Sequence, residues 1–190
     1  MFTRAFDINA AANVVLAQAF LPAMISNNHG HFMTVASSAS YFSLPNLCAY
    51  SMSKTAALAF LESLRAELRA VYKACRVRTS VVTPTKVRTV LAEGLNEGDD
   101  DFLMPVLEPI QVARAMADTL NSGLSRNISL PLGSALLPYL RALPEWYRGA
   151  LRAMGNTDAL VTPESISRGQ QALRGHQSNL DHMKKLGVHS

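Results

Sequence analysis

The chain has 190 residues, 48% of them hydrophobic and only 17% charged, with a net charge of +4. That length suits one domain with a real core, and the composition excludes disorder over most of the chain. The 13 arginines and 5 lysines are scattered, with no basic run longer than two, so no nucleic-acid partner is expected. Cys48 and Cys75 are too few for a disulfide scaffold or a cysteine-rich zinc framework and read as free thiols in a reducing compartment. The five histidines form no His-x-x-x-His pair, and no metal site is predicted. No uncharged apolar run reaches the roughly 18 to 20 residues of a membrane span. Asn13, Gln18 and Pro22 break the most apolar stretch, and no signal peptide is visible.

In chain order, residues 3 to 27 read as a helix of small and apolar residues, stopped by the turn signal Asn27-Asn28-His29-Gly30. His31 to Ala36 is long enough only for a buried strand, and Ser37 to Leu47 is a serine-rich loop. Ala49 to Val71 is the clearest helix, with Ala57, Phe60, Leu61, Leu64, Leu68 and Val71 on one apolar face. Arg76 to Thr83 is a β-branched strand stopped by Pro84. Residues 85 to 107 are irregular and hold the acidic run Glu97 to Asp101. Pro109 opens a helix that Gly123 closes, with Val112, Ala113, Met116 and Leu120 inside. Asn127 to Leu130 is a third strand, residues 134 to 154 hold two helical pieces broken by Pro144, and the polar tail from Thr162 is expected to be loose. The alternation of helix and strand predicts an α/β fold, an open parallel sheet covered by helices. Ligands of such sheets bind at the carboxyl ends of the strands, where Ser37 and Pro84 fall.

Tyr50-Ser-Met-Ser-Lys54 puts a phenol and an ammonium one helical turn apart on the same face. A nearby cation favours the phenolate and brings a poor acid-base group closer to a useful pKa. The same spacing also occurs as a solvated surface pair. Ser37 lies just past a strand end, where its hydroxyl can donate to a substrate oxygen. Asn9 and Asn13 are out of place in an apolar helix, and solvent exposure or a bond to backbone accounts for either. In residues 137 to 154, apolar side chains with Trp146 on one side and Arg141, Arg148 and Arg152 on another suit either an interfacial membrane helix or a lid over an apolar pocket.

Four ordered segments resemble the C-terminal half of a short-chain dehydrogenase/reductase: Phe6 to Asn9, His31 to Ser38, Pro45 with Ala49 to Lys54, and Val82 to Thr89. In the last, Thr85 stands where the family usually has glycine. The resemblance covers about residues 3 to 160 and is nearest to the branch with retinol and 17β-hydroxysteroid dehydrogenases. It implies a Rossmann-like doubly wound parallel sheet whose N-terminal nucleotide-binding half is missing, with residues 1–160 as the catalytic half and 161–190 as a polar tail. It implies an NAD(P)-dependent oxidoreductase that interconverts a hydroxyl and a carbonyl on a small lipophilic substrate. Tyr50 would exchange the proton, Lys54 would lower its pKa and bind the nicotinamide ribose, and Ser37 (or, less well by spacing, Ser38) would orient the substrate oxygen. Asn9 would support a proton-relay water, and Val87 and Thr89 would touch the carboxamide end of NADP, or of NAD. The family would also bring a homodimer through helices 3–27 and 49–71, while the free thiols fit a cytoplasmic setting and the 137–154 pattern adds peripheral contact with an intracellular membrane. No two glycines in the chain are two apart, so the glycine-rich dinucleotide turn is not in this sequence. About 100 further residues are expected to precede Met1 in an intact member. The chain alone is then expected to bind dinucleotide weakly, and a non-catalytic remnant serving as an interaction module is the alternative.

Overall fold

A computed structural model describes residues 2–92, 105–154 and 161–185. The chain opens with α1 (Phe2–Phe6), a π-helical turn (Asp7–Ala11) and α2 (Ala12–Ser26), which run on as one rod. β1 (Gly30–Val35) leads through the Ser37 loop to α3 (Cys48–Ala70), and β2 (Val77–Pro84) follows. α4 (Pro109–Ser122), β3 (Asn127–Leu130), a 3-10 turn (Leu132–Leu136), α5 (Leu137–Leu140), α6 (Glu145–Met154) and α7 (Pro163–Lys185) complete the described chain. The strands form one parallel sheet in the order β1-β2-β3, with Phe32 beside Thr79 and Val82 beside Ile128. The α/β fold read from the sequence is the one observed. The acidic run 97–101 lies outside the described residues.

β2 is central and buried along nearly its whole length, as a parallel strand covered on both faces should be. Its polar side chains are each satisfied. Arg65 Nε donates to Thr79 Oγ1 at 2.9 Å, His31 Nε2 and Ser80 Oγ bond at 2.9 Å, and Thr83 Oγ1 donates to Ile128 O at 3.2 Å. One face packs against α2 and α3 through Phe32, Val77, Val81, Ala17, Leu21, Leu61, Leu64 and Leu68. Fully burying such a leucine contributes about 1.5–3 kcal/mol. His31 and Arg78 alternate onto the opposite face and meet the end of α4 at Leu120 and Gly123.

Local signals set the ends of these elements. Asn28 takes φ 44° in the turn after α2, Pro109 begins α4, and Gly123 ends it in the left-handed conformation at φ 63°. Four expectations need correction. The apolar face of α3 holds Leu58, whereas Val71 at its end is 67% exposed. The inner side of α4 is turned toward Ala115 and the buried Thr119, leaving Ala113 and Leu120 exposed. Thr119 is tolerated inside because its hydroxyl bonds back to Ala115 O at 2.8 Å. Pro163–Lys185 is a helix and not a loose tail. Thr162 and Ser165 cap its start reciprocally, with Ser165 N on Thr162 Oγ1 at 3.1 Å and Thr162 N on Ser165 Oγ at 2.9 Å. Lastly, the helix Thr3–Ser26 is long and apolar enough to cross a membrane by length and composition. Here it packs Ala17 and Leu21 into the core and carries Asn9 and Asn13 toward α3 and β1.

The 132–154 segment follows its helical pattern only in part, with Leu140, Leu143 and Leu151 half-buried and Arg141 exposed. Arg148 and Arg152 of α6 pair with Glu145, and Arg152 also lies over the Phe42 ring, 5.7 Å from its centroid. Trp146 and Met154 point outward at 74% and 84% exposure. Leu132, Leu136 and Tyr139, in the stretch that follows β3, are exposed as well.

Candidate active site

The carboxyl ends of β1 and β2 gather the predicted residues. Ser37 follows β1 and is buried. It caps the short 3-10 turn Ser38–Ser40, accepting from Ala39 N at 3.2 Å, and its hydroxyl lies 3.5 Å from the Pro84 carbonyl at the end of β2. Tyr50 and Lys54 sit in the first turns of α3, which begins at Cys48. The Tyr50 phenol lies near enough to the Ser37 hydroxyl for that hydroxyl to act on it. Lys54 Nζ donates to Val35 O at 2.9 Å and stands 5.9 Å from the centre of the Tyr50 ring.

Electrostatics differ from the simple expectation of a phenol acidified by its lysine. Burial is the largest influence on Tyr50 and pushes its pKa above 10.0, while the Ser37 hydroxyl pulls it down. Burial also lowers Lys54 below 10.5. The reason is geometric. Lys54 spends one of its three N–H donors on a backbone carbonyl, and the cation faces the ring rather than bonding to the phenol oxygen.

Asn9 lies in the π-helical turn, and its Nδ2 donates to Ser53 Oγ at 3.0 Å. Ser53 in turn donates to Tyr50 O at 2.7 Å, so Asn9 is tied to the turn that carries the phenol. Sequence reasoning missed Ser53 and Thr34; Asn13 bonds backbone as one of its two expected accounts had it, but it also accepts from Thr34. Ser53 falls three residues after Tyr50 and Asn13 four after Asn9, both common back-bonding intervals, whereas Thr34 carries no such signal. Val87 forms an isolated parallel bridge with Leu107, and Thr89 is exposed beyond it. Thr85 is not in the left-handed region, so replacing glycine there costs no backbone strain. Its hydroxyl is buried and without a partner. Among the described residues no cluster of His, Cys, Asp or Glu could hold a metal ion.

A family model for short chain dehydrogenases matches residues 1–100, more than half of the chain. Human estradiol 17-beta-dehydrogenase 11 is 38% identical over 151 residues, covering 78% of this chain and 48% of that protein. Mouse epidermal retinol dehydrogenase 2 is 37% identical over 120 residues, covering 63% of this chain and 38% of that protein. Among solved structures, a short chain dehydrogenase from Burkholderia cenocepacia J2315 in complex with NADP is 26% identical with a TM-score of 0.59, covering 83% of this chain and 58% of its own. The chain belongs to the short chain dehydrogenase family. It spans about half the length of the curated relatives it matches.

Proposed function

We propose that this chain carries the proton-transfer half of an NAD(P)-dependent oxidoreductase acting between a hydroxyl and a carbonyl. The observation that carries this reading is the convergence of Ser37, Tyr50 and Lys54 at the carboxyl ends of adjacent parallel strands. Tyr50 exchanges a proton with the substrate oxygen, and Ser37 hydrogen bonds the same oxygen and fixes its distance from the phenol. Lys54, held on Val35 O, keeps a positive charge beside the ring and two donors in reserve. Asn9 holds the first turn of α3 through Ser53.

The residues present suit the nicotinamide end of a dinucleotide. The orphaned Thr85 hydroxyl at the end of β2 marks a place for a polar partner, and Tyr50, Lys54, Val87 and Thr89 are the residues we assign to it. A nicotinamide bound there would supply the hydride acceptor or donor. NADP is favoured over NAD by the Burkholderia complex. A lipophilic alcohol or ketone, of steroid or retinoid kind, is favoured by the names of the relatives and by the exposed apolar side chains of Leu132, Leu136, Tyr139 and Trp146. Arg152 over Phe42 and Asn46 Nδ2 on Val161 O at 2.7 Å support a lid that rests on the loop from Ser37 to Leu47.

The exposed apolar side of the first rod, with Ile8, Val15, Leu16 and Phe20, supports the subunit-interface reading of helices 3–27 and 49–71. The test is oxidation of estradiol or retinol with millimolar NADP or NAD, wild type against Tyr50→Phe. The variant should lose about 10²–10⁴ of the turnover with an unchanged circular dichroism spectrum. Retention of more than about a tenth of it, well inside the range that general acid-base catalysis supplies, removes Tyr50 from the reaction.

A further inference from the structure

Asn13 looks at first like a polar residue stranded in an apolar helix. Both ends of its amide are in fact engaged. Nδ2 donates to Asn9 O at 2.7 Å, and Oδ1 accepts from Thr34 Oγ1 at 3.3 Å. Thr34 is a buried residue of β1, so the amide bridges the helix to the sheet. An asparagine that merely bonds back along its own helix would leave Oδ1 to solvent.

Its acceptor belongs to the π-helical turn Asp7–Ala11, where the backbone ladder is out of α-helical step. A side chain that supplies a donor to a carbonyl there fixes the turn in that form. From Asn9 the chain of bonds continues: Asn9 Nδ2 to Ser53 Oγ at 3.0 Å, then Ser53 Oγ to Tyr50 O at 2.7 Å. Thr34, Asn13, Asn9 and Ser53 thus connect the sheet to the backbone of Tyr50 through two pairs of hydrogen bonds that meet at Asn9, one pair ending on its main-chain carbonyl and the other starting from its side-chain amide.

We propose that Asn13 is a positioning residue for Tyr50, holding the Asn9 turn so that the Asn9 amide stays on Ser53 and the first turn of α3 keeps the phenol against Ser37. This rests on the reading of Tyr50 as the proton-exchanging residue. Asn13 touches neither Tyr50 nor Ser37, and its effect passes through backbone that other side chains hold.

Asn13→Asp separates the roles. It is isosteric and can still accept from Thr34, but its carboxylate cannot donate to the Asn9 carbonyl. The readout is the Tyr50 phenol itself, titrated by NMR in protein labelled with 13Cζ-tyrosine and assigned by loss of its signal in Tyr50→Phe. Lys54 is the charged group facing the ring and is unchanged in the comparison; the carboxylate introduced at position 13 acts only to raise the midpoint, so a fall reports the loosened turn. Loosening the first turn of α3 hydrates a phenol whose pKa is held up chiefly by burial. In Asn13→Asp the Tyr50 midpoint should therefore fall toward that of the exposed tyrosines, and the Asn9 side-chain amide should lose its protection from hydrogen exchange.

Thr34→Val keeps the donor but removes the anchor on Asn13, and should shift Tyr50 in the same direction by less. It also supplies the answer if Asn13→Asp does not fold. A Tyr50 midpoint unchanged in a folded Asn13→Asp, or in Thr34→Val where only that variant folds, overturns the proposal and leaves Asn13 a structural residue. Failure of the dehydrogenase reading would appear separately, as turnover retained in Tyr50→Phe, and would leave the titration result standing.

Discussion

The two ends of the sheet both collect titratable side chains, yet they differ in kind. At the amino ends, His29, His31, Arg76 and Arg78 line an open pocket with Gly30, Leu120 and Gly123. The carboxy-terminal ends of α2 and α4 reach this side, and the basic groups answer the negative ends of those helix dipoles. At the carboxyl ends, Lys54 bonds Val35 O, Ser37 reaches Pro84 O, and Asn9 is linked through Ser53 to the backbone of Tyr50. A cluster of charges at a helix end has an electrostatic explanation already. A half-buried phenol beside a buried serine at a strand end does not, and that is why the carboxyl end is read as the site.

The contrast can be broken most forcefully by removing one hydroxyl. Ser37→Ala should lower turnover by about 10²–10³ fold, the usual cost of one donor to a reacting oxygen, whereas Arg78→Gln at the other end should leave turnover unchanged. Equal effects in a steady-state assay would erase the distinction between the two ends.

A smaller effect should appear in stability at the amino end. Gly30 has φ +154°, and a Cβ there would lie 2.5 Å from Met24 Cγ. Gly30→Ala should cost about 1–3 kcal/mol in urea unfolding, the price of forcing a side chain into a glycine-only conformation, without altering turnover per folded molecule. A cost within the error of the urea midpoint would mean that Met24 moves aside and the backbone relaxes.

The smallest effect, and the one that sharpens the contrast, is opposite pH behaviour. His31 is held below 6.5 by burial and then by Arg78, while its ring bonds Ser80. Its contribution is present above 6.5 and is lost as pH falls through the folded value. Tyr50 is raised above 10.0, so its contribution is full below 10.0 and is lost as pH rises through the folded value. Lys54, lowered below 10.5, acts in the opposite sense in the alkaline range. Thermal midpoints across pH should therefore show an acid limb that His31→Gln flattens. They should also show an alkaline limb that Tyr50→Phe reduces relative to wild type. Arg78→Gln should raise the His31 midpoint, read by NMR. A fall in that midpoint would contradict the assigned cause.

Much of this protein is written locally. Pro109 and Gly123 bracket α4, Asn27 and Asn28 stop α2, and Asn127 to Leu130 is a strand in both sequence and structure. These signals act within a few residues, through fixed φ values, missing donors and left-handed turns, so the sequence alone determines the order of elements and the parallel α/β class. The Tyr50–Lys54 spacing was legible for the same reason, since one helical turn decides it.

The tertiary structure decided what those residues experience. Burial drives Tyr50 upward, against the effect that the lysine spacing suggests. The bond from Asn9 to Ser53 spans 44 residues of sequence, and that from Thr34 to Asn13 spans 21. No local pattern announces a partner at that distance, because it exists only once the rod, the sheet and α3 are packed together. The outward turn of Trp146 and inward turn of Arg148 on α6 follow from the same cause. A helical period fixes which side chains share a face, while the surface it meets fixes which face turns in.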